Sequence, residues 1–180
     1  MIKLTKILTE IIDEKISDDP FHYHKHIKRL EKLLNVKVTD HMKSGTRSSV
    51  FTLKDGRVMK ITSDPTDAAG LKYAMDNHPH VPVLKVFSIN RFSTGGSDAY
   101  GNGYYDYVAI VEKLKPTDDD ERYPIISWFY DNTGVKPADV HDGNIGISSD
   151  KSTPLHGVVF LDPSFEGMRS VSGIKIIGDD

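Results

Sequence analysis

The chain carries the sequence Asp-Val-His-Asp-Gly-Asn at residues 139–144 and the sequence Phe-Leu-Asp-Pro at residues 160–163. The first stretch precedes a short apolar run, and the second ends another one. Asp139, Asn144 and Asp162 supply two carboxylates and a carboxamide, the hard oxygen ligands that Mg²⁺ and a phosphoryl transfer require. The same residue types are also typical of turns, so a purely structural role stays open.

Two further features lie upstream, where β-prone residues predict three antiparallel strands over residues 36–62. Asp55-Gly56 predicts a tight hairpin between the second and third strands. The loop over residues 43–50 is rich in Gly, Ser and Thr, so its backbone could approach phosphate oxygens, although most such loops only turn the chain. Lys60 lies among apolar residues of the third strand and needs an anionic partner if it points inward.

The remaining pattern alternates short helices and strands. Helices are predicted over residues 4–16, 20–34, 68–75 and 118–131, and strands over 81–89, 107–114, 144–147 and 158–161. A Gly/Ser-rich loop is predicted over residues 91–103. The fold class is therefore α+β, with an N-terminal helical arm over residues 1–35, an antiparallel sheet with one packed helix over 36–114, and a reduced second lobe with a tail over 115–180.

Composition excludes several classes of function. The 180 residues carry a net charge of −3, so no global positive field attracts nucleic acid, and nucleic acid is not an expected partner. There is no Cys, which excludes disulfides, cysteine nucleophiles and thiolate metal sites. No segment is apolar enough to form a signal peptide or to span a membrane, so we expect a cytoplasmic protein without a membrane partner.

The order of these parts resembles the protein-kinase-like superfamily. A Gly/Ser loop, a strand Lys, a short helix and an apolar strand precede the stretches at 139–144 and 160–163. The chain is most similar to aminoglycoside-phosphotransferase-type kinases, whose catalytic loop has the pattern H-G-D-x-H-x-x-N, and to small kinase-like proteins of tailed bacteriophages. The resemblance covers about residues 36–165. It implies a minimal kinase-like fold whose N-lobe, over 36–114, binds ATP with Mg²⁺ and whose reduced C-lobe carries the catalytic loop.

The resemblance also implies a role for each matching residue. Asp139 would orient or deprotonate a hydroxyl acceptor, Lys60 would contact the α- and β-phosphates, and Asn144 and Asp162 would hold Mg²⁺. The other nucleotide contacts would come from Gly45, Thr46, Ser48 and Val50 in the loop, and from Glu112 and Leu114 in a hinge whose backbone meets the adenine edge. The implied reaction is transfer of the γ-phosphoryl group of ATP to a hydroxyl acceptor, either a small molecule or a protein.

Three departures from the family pattern favour an alternative. Pro137 stands where the family loop has its first His, the short helix contains no Glu to pair with Lys60, and 18 residues follow Asp162. Asp67, Asp76 or neither could replace the missing Glu. The alternative is a catalytically inactive pseudokinase that binds a protein partner through its N-terminal arm. Such a protein could be a phage protein that targets a host factor in the host cytoplasm.

The N-terminal arm offers a weaker candidate site, formed by His22, His24 and His26. Only His22 and His26 would share a helix face, whereas zinc sites use three or four ligands. We interpret these histidines, and the basic residues that follow them, as a solvated polar helix face. The same basic stretch leaves a local contact with a nucleic acid or an acidic partner open as a weaker alternative.

Overall fold

The computed structural model describes residues 23–44, 48–97, 99–100, 103–117, 122–168 and 172–178. The helices are α1 (His24–Leu34), α2 (Pro65–Asn77) and α3 (Arg122–Asn132). The strands are β1 (Val38–Ser44), β2 (Ser48–Leu53), β3 (Val58–Thr62), β4 (Val86–Ser97), β5 (Gly103–Val111), β6 (Lys115–Pro116), β7 (Pro137–Ala138), β8 (Ile145–Ile147), β9 (Val158–Phe160), β10 (Ser164–Phe165) and β11 (Lys175–Ile177). The predicted α+β class is confirmed. The helix predicted over residues 4–16 lies outside the described residues, and none of the helices within them is long and apolar enough to cross a membrane.

A six-stranded sheet in the order β1-β2-β3-β5-β4-β11 forms the larger part of the molecule. Its first five strands pair antiparallel, as the sequence predicts for β1 to β3. The hairpin between β2 and β3 turns at Gly56, whose φ of 85° lies in the region that glycine adopts without strain. In this register Lys60 lies between Val50 of β2 and Ala109 of β5.

Strand β4 differs from the sequence prediction at both ends. It begins at Val86 rather than at residue 81, because Val83 instead forms a bridge with Phe160 of β9. It continues to Ser97, so the loop predicted over residues 91–103 is wrong over most of its length. The Arg91 guanidinium lies 4.8 Å from the centroid of the Tyr105 ring on the neighbouring strand, a contact that favours the pairing of this polar segment.

Two apolar clusters cover the two faces of the sheet. On one face α1 packs against strand residues that include Phe51 and Phe92. The helix contributes Ile27 and Leu30, together with Tyr23 just before its first residue. On the other face α2, α3 and strands β8 and β9 share a second cluster. The described part of the predicted N-terminal arm is therefore packed onto the sheet.

Strand β11 brings the tail back to the same sheet. It pairs parallel with β4, beside residues 90–92. Arg29 of α1 donates hydrogen bonds to the carbonyls of Ser93, at 3.1 Å, and of Gly178. The helix thus holds the tail strand against the edge of the sheet.

The second part of the molecule is small. It contains α3, the three-stranded sheet β6-β8-β9 and the two-stranded pair of β7 and β10. Pro124 lies in the first turn of α3, where a missing backbone N–H costs no hydrogen bond. Residues 118–121, with which this helix was predicted to begin, lie outside the described residues.

Candidate active site

A cavity of about 610 Å³ lies where the six-stranded sheet meets the loops beside β8 and β9. Its volume is in the range of about 300–1,000 Å³ that is typical of small-molecule sites. Eight residues singled out from the sequence line it: Ser48, Val50, Lys60, Glu112, Leu114, Asp139, Asn144 and Asp162. Gly45 and Thr46 lie outside the described residues. Segments that are far apart in the chain therefore meet at one cavity.

Lys60 is buried in the middle of β3 and is only 8% exposed. Its Nζ donates a hydrogen bond to Asp162 Oδ1 at 2.5 Å and lies 3.2 Å from Asp67 Oδ2. Burial lowers the pKa of Lys60, but the two carboxylates outweigh burial and hold the pKa above its ordinary value. Lys60 is therefore an inward-facing cation at the cavity wall.

Asp67 is the helix residue that pairs with Lys60, which decides between the alternatives left open by the sequence. It lies in the first turn of α2 and also accepts a hydrogen bond from Thr62 Oγ1 at 3.0 Å. Asp76 lies at the other end of the helix and pairs with Lys72, one turn away. A helix without Glu thus still supplies a carboxylate to the strand Lys.

One cation is shared by two carboxylates at this point. Burial raises the pKa of Asp67, and the charge of Asp162 raises it further, while Lys60 acts in the opposite direction. With all three groups ionised, the set carries one uncompensated negative charge. Because the Asp162 side chain is 36% exposed, its carboxylate is accessible from the cavity, and a further cation beside it would be favoured.

The loop that contains Asp139 is held at both ends. Pro137 lies in β7, which pairs antiparallel with β10 and holds the N-terminal end of the loop. Asp139 follows with φ of 54° and is exposed. Asn144 Nδ2 donates to the Asp139 carbonyl at 3.1 Å, and the Asn144 carbonyl accepts from the Leu161 N–H at 2.7 Å. These bonds tie the loop to the residue that precedes Asp162.

The residues present fit a Mg²⁺ ion that is held partly by phosphates. An amide whose nitrogen donates a hydrogen bond keeps its oxygen as an acceptor, so Asn144 and Asp162 offer two hard oxygen ligands at the same cavity. Among the described residues, no group of three His, Asp or Glu side chains is arranged to hold a metal by itself. This is the donor set expected where substrate phosphates complete the coordination, as Mg²⁺ sites in phosphoryl transfer do.

The hinge at residues 112–114 connects β5 to β6 along one wall of the cavity. Gly146 of β8 lies against it, and an added Cβ there would come within 2.9 Å of the Leu114 Cβ. The Glu112 carboxylate accepts hydrogen bonds from the Lys85 N–H and from Ser148 Oγ, both at 2.6 Å. Its side chain is therefore used within the protein, and its N–H also donates to the Lys85 carbonyl at 3.0 Å.

Two residues that shape the site were not singled out from the sequence. Gly70 lies inside α2, and an ideal Cβ there would fall 1.4 Å from the Pro163 carbonyl oxygen. A signal was present, because a glycine inside a helix costs about 0.5–1 kcal/mol relative to alanine and so indicates a close approach. Ser148, which is 1% exposed, gave no such signal, because a serine in a polar turn is ordinary.

Of the histidines of the N-terminal arm, the two that the structure describes, His24 and His26, do not line this cavity. His22 lies outside the described residues, and His24 and His26 belong to no metal-binding group among those described. His26 packs edge-on against Phe92 at a centroid distance of 5.7 Å, and burial lowers its pKa. Among the basic residues of α1, Arg29 is engaged in holding the tail strand.

Comparisons with known proteins add little. No protein-family model matches the chain, and no curated protein matches it in sequence. Among solved structures, the apo form of a thermostable mutant of aminoglycoside phosphotransferase APH(4)-Ia is similar over 51% of this chain and 30% of that protein, with a TM-score of 0.36 and 19% identity. A second structure of aminoglycoside phosphotransferase APH(4)-Ia covers 50% and 29%, with a TM-score of 0.33 and 17% identity. The chain thus covers less than a third of these proteins, and a similarity this partial decides neither family nor activity.

Proposed function

We propose that this chain is an ATP-dependent phosphotransferase that transfers the γ-phosphoryl group to a hydroxyl acceptor. The observation that carries the proposal is the position of Lys60, buried at a cavity wall and bonded to Asp162 beside Asp67. A structural ion pair would not require the same cavity to be lined also by Asp139 and Asn144. Together these residues supply the parts that phosphoryl transfer needs: a phosphate-binding cation, oxygen ligands and a carboxylate for the acceptor.

The reaction assigns a separate task to each residue. Lys60 binds phosphate oxygens, and the hinge backbone contacts the base. Asp139, exposed at the cavity mouth, orients the acceptor hydroxyl and takes its proton as the oxygen bonds to the γ-phosphorus and ADP leaves. Asn144 and Asp162 would hold Mg²⁺, which when bound supplies positive charge against the phosphates. Most of the rate enhancement would come from positioning and charge stabilisation.

A thermal melt with and without Mg·ATP tests the proposal. It compares the wild-type protein with the variant Asp162→Asn, in which the increase in Tm should be lost. A ligand present at about 100 times its Kd stabilises a protein by about 2.7 kcal/mol. For a chain of this length that corresponds to an increase in Tm of roughly 5–10 °C. Asp150→Asn, which removes a carboxylate outside the cavity, is the matched control and should keep the increase. If wild-type protein shows no increase at millimolar Mg·ATP, the proposal fails.

A second candidate is the inactive protein-binding module, acting on a partner such as a host factor. One feature of the sequence favours it: Pro137 stands where the family loop has its first His. The two candidates differ in turnover. A protein that binds Mg·ATP but transfers no phosphate to water, to small hydroxyl compounds or to itself would support the binding module.

A further inference from the structure

The Glu112 carboxylate is bonded on both of its oxygens. Oε1 accepts from the Lys85 N–H and Oε2 accepts from Ser148 Oγ, each at 2.6 Å. The Glu112 N–H in turn donates to the Lys85 carbonyl at 3.0 Å. Hydrogen bonds to a charged group are among the stronger ones, so three bonds fix one residue of the hinge from two sides.

Ser148 is itself held rigidly. It is 1% exposed and directly follows β8, and its N–H donates to the Gly157 carbonyl at 2.8 Å. Its hydroxyl accepts from the Asp150 N–H at 3.0 Å while it donates to Glu112. With both an acceptor and a donor contact in place, the hydroxyl has little freedom to rotate away from the hinge.

The Lys85 side of the contact is anchored as well. The Leu84 N–H donates to the Phe160 carbonyl at 3.1 Å, and the Phe160 N–H donates to the Pro82 carbonyl at 2.9 Å. The segment just before β4 is therefore bound to β9. The hinge lies between two segments, 82–85 and 148–150, that are each fixed by their own hydrogen bonds.

We infer that Ser148 and the Glu112 carboxylate are positioning residues that hold the hinge backbone for recognition of the nucleotide base. This inference rests on the proposed function. Neither side chain needs to contact the ligand, because both act through the backbone of residues 112–114. The phosphate end of the cavity is held by other contacts, those of Lys60 with Asp67 and Asp162. Loss of the Ser148 hydroxyl should therefore weaken binding of the base and spare binding of the phosphates.

The test compares two ligands on two matched variants by isothermal calorimetry. Ser148→Ala removes the hydroxyl that holds Glu112. Thr153→Val removes another buried hydroxyl of the same turn, one that accepts from the Gly157 N–H and does not contact the hinge. Mg·ATP probes both ends of the cavity, and Mg·tripolyphosphate probes the phosphate end alone. We expect Ser148→Ala to weaken Mg·ATP binding by about tenfold, the equivalent of one hydrogen bond, and to leave tripolyphosphate binding within about twofold of wild type.

Thr153→Val should leave the ratio of the two affinities unchanged, which separates hinge positioning from a general loss of stability. Glu112→Gln replaces one acceptor oxygen by a donor. It should change the ratio of the Mg·ATP and Mg·tripolyphosphate affinities in the same direction as Ser148→Ala, but by a smaller factor. This variant provides the test if Ser148→Ala does not fold. Hydrogen exchange of the amides at 113 and 114 should be faster in Ser148→Ala than in Thr153→Val without any ligand.

The outcomes separate the two claims. Equal weakening of both ligands, or an unchanged ratio, would overturn the positioning role and leave the proposed function standing. Binding of neither ligand by wild-type protein would overturn the proposed function, and this inference with it.

Discussion

Gly70→Ala is a one-carbon change in α2 that should disturb the site, because Gly70 abuts the residue that follows Asp162. An ideal Cβ at this position would fall 1.4 Å from the Pro163 carbonyl oxygen and 2.6 Å from its carbonyl carbon. Contacts of Cβ atoms below 3.0 Å are essentially never seen, so the Pro163 carbonyl would have to retreat by about 1.6 Å. Asp162 is the preceding residue, and its carboxylate lies 2.5 Å from Lys60 Nζ. A shift of that size would lengthen the contact beyond hydrogen-bond distance.

Two opposing free-energy terms decide the sign of this substitution. Alanine is the better helix former and on its own would stabilise α2 by about 0.5–1 kcal/mol. Overpacking a buried site costs about 1–3 kcal/mol, and here the atom in the way is backbone, which cannot change rotamer. Because the obstacle is backbone, we take the upper end of that range, about 3 kcal/mol, and subtract the helix gain. The expected net loss in the free energy of unfolding is about 2 kcal/mol. For a chain of this length this lowers the Tm by roughly 4–8 °C.

Urea titration and thermal melts measure the loss in the free energy of unfolding. The increase in Tm on addition of Mg·ATP measures whether the site still binds the nucleotide. Ala69→Gly is the control, because it weakens the same helix by about 1 kcal/mol without placing an atom against Pro163. We expect the increase in Tm to be lost in Gly70→Ala and kept in Ala69→Gly. A Gly70→Ala protein that is as stable as wild type and keeps the increase would refute the reasoning.

Three further predictions concern Asp67 and Asp139, which line the cavity, and Asp150, which lies outside it. Asp67→Asn should leave the free energy of unfolding unchanged or raise it, because burial and the charge of Asp162 disfavour ionised Asp67 more than Lys60 favours it. Asp76→Asn should lower it by about 0.3–0.5 kcal/mol, because it breaks an exposed pair with Lys72, and urea titration compares the two variants. Asp139→Asn should keep Mg·ATP binding and lower turnover by orders of magnitude, and unchanged turnover would remove Asp139 from the mechanism. Hydrogen bonds from the hydroxyl and the N–H of Ser152 lower the pKa of Asp150 to about 2 from its usual 3.8. Its stabilising contribution is thus present above pH 3.8 and lost as the pH falls towards 2, so Asp150→Asn should flatten the acid limb of a stability profile in that window.

The sequence predicted well which residues lie at the cavity. It predicted less well which of them are in contact with one another. Lys60 and Asp162 are 102 positions apart, yet the family resemblance assigned both to one site, and their side chains are in contact. Asp67 and Asp76 could not be separated, because they flank the helix predicted over residues 68–75, one at each end. The packing of the first turn of α2 beside β3 selects Asp67. Ser148 could not be found at all, since its burial depends on how the turn after β8 folds over the hinge.

In strand β4 the local sequence was misleading, because a segment predicted to be a loop is paired. Gly95 and Gly96 between polar residues predicted a loop, and both do adopt positive φ, at 84° and 87°. Pairing nevertheless continues from Ser93 to Ser97 across an irregularity that accommodates them. Local composition was correctly interpreted as turn-like, but the cross-strand contacts of a long hairpin outweigh it, and such contacts are not visible in a window of a few residues.

The small second part should not unfold separately from the sheet. One apolar cluster contains Val58 and Leu71 from the sheet and α2 together with Phe129 and Phe160 from α3 and β9, so neither part buries its apolar surface alone. Trp128, the only tryptophan of the chain, packs against this cluster from α3. The far-ultraviolet circular dichroism signal comes mainly from the helices, and two of the three described ones, α1 and α2, pack against the sheet. We therefore expect tryptophan fluorescence and circular dichroism to give coincident urea transitions. A fluorescence transition with its midpoint at clearly lower urea concentration would show that the second part unfolds separately from the sheet. The cavity between the two parts would then be lost while the sheet is still folded.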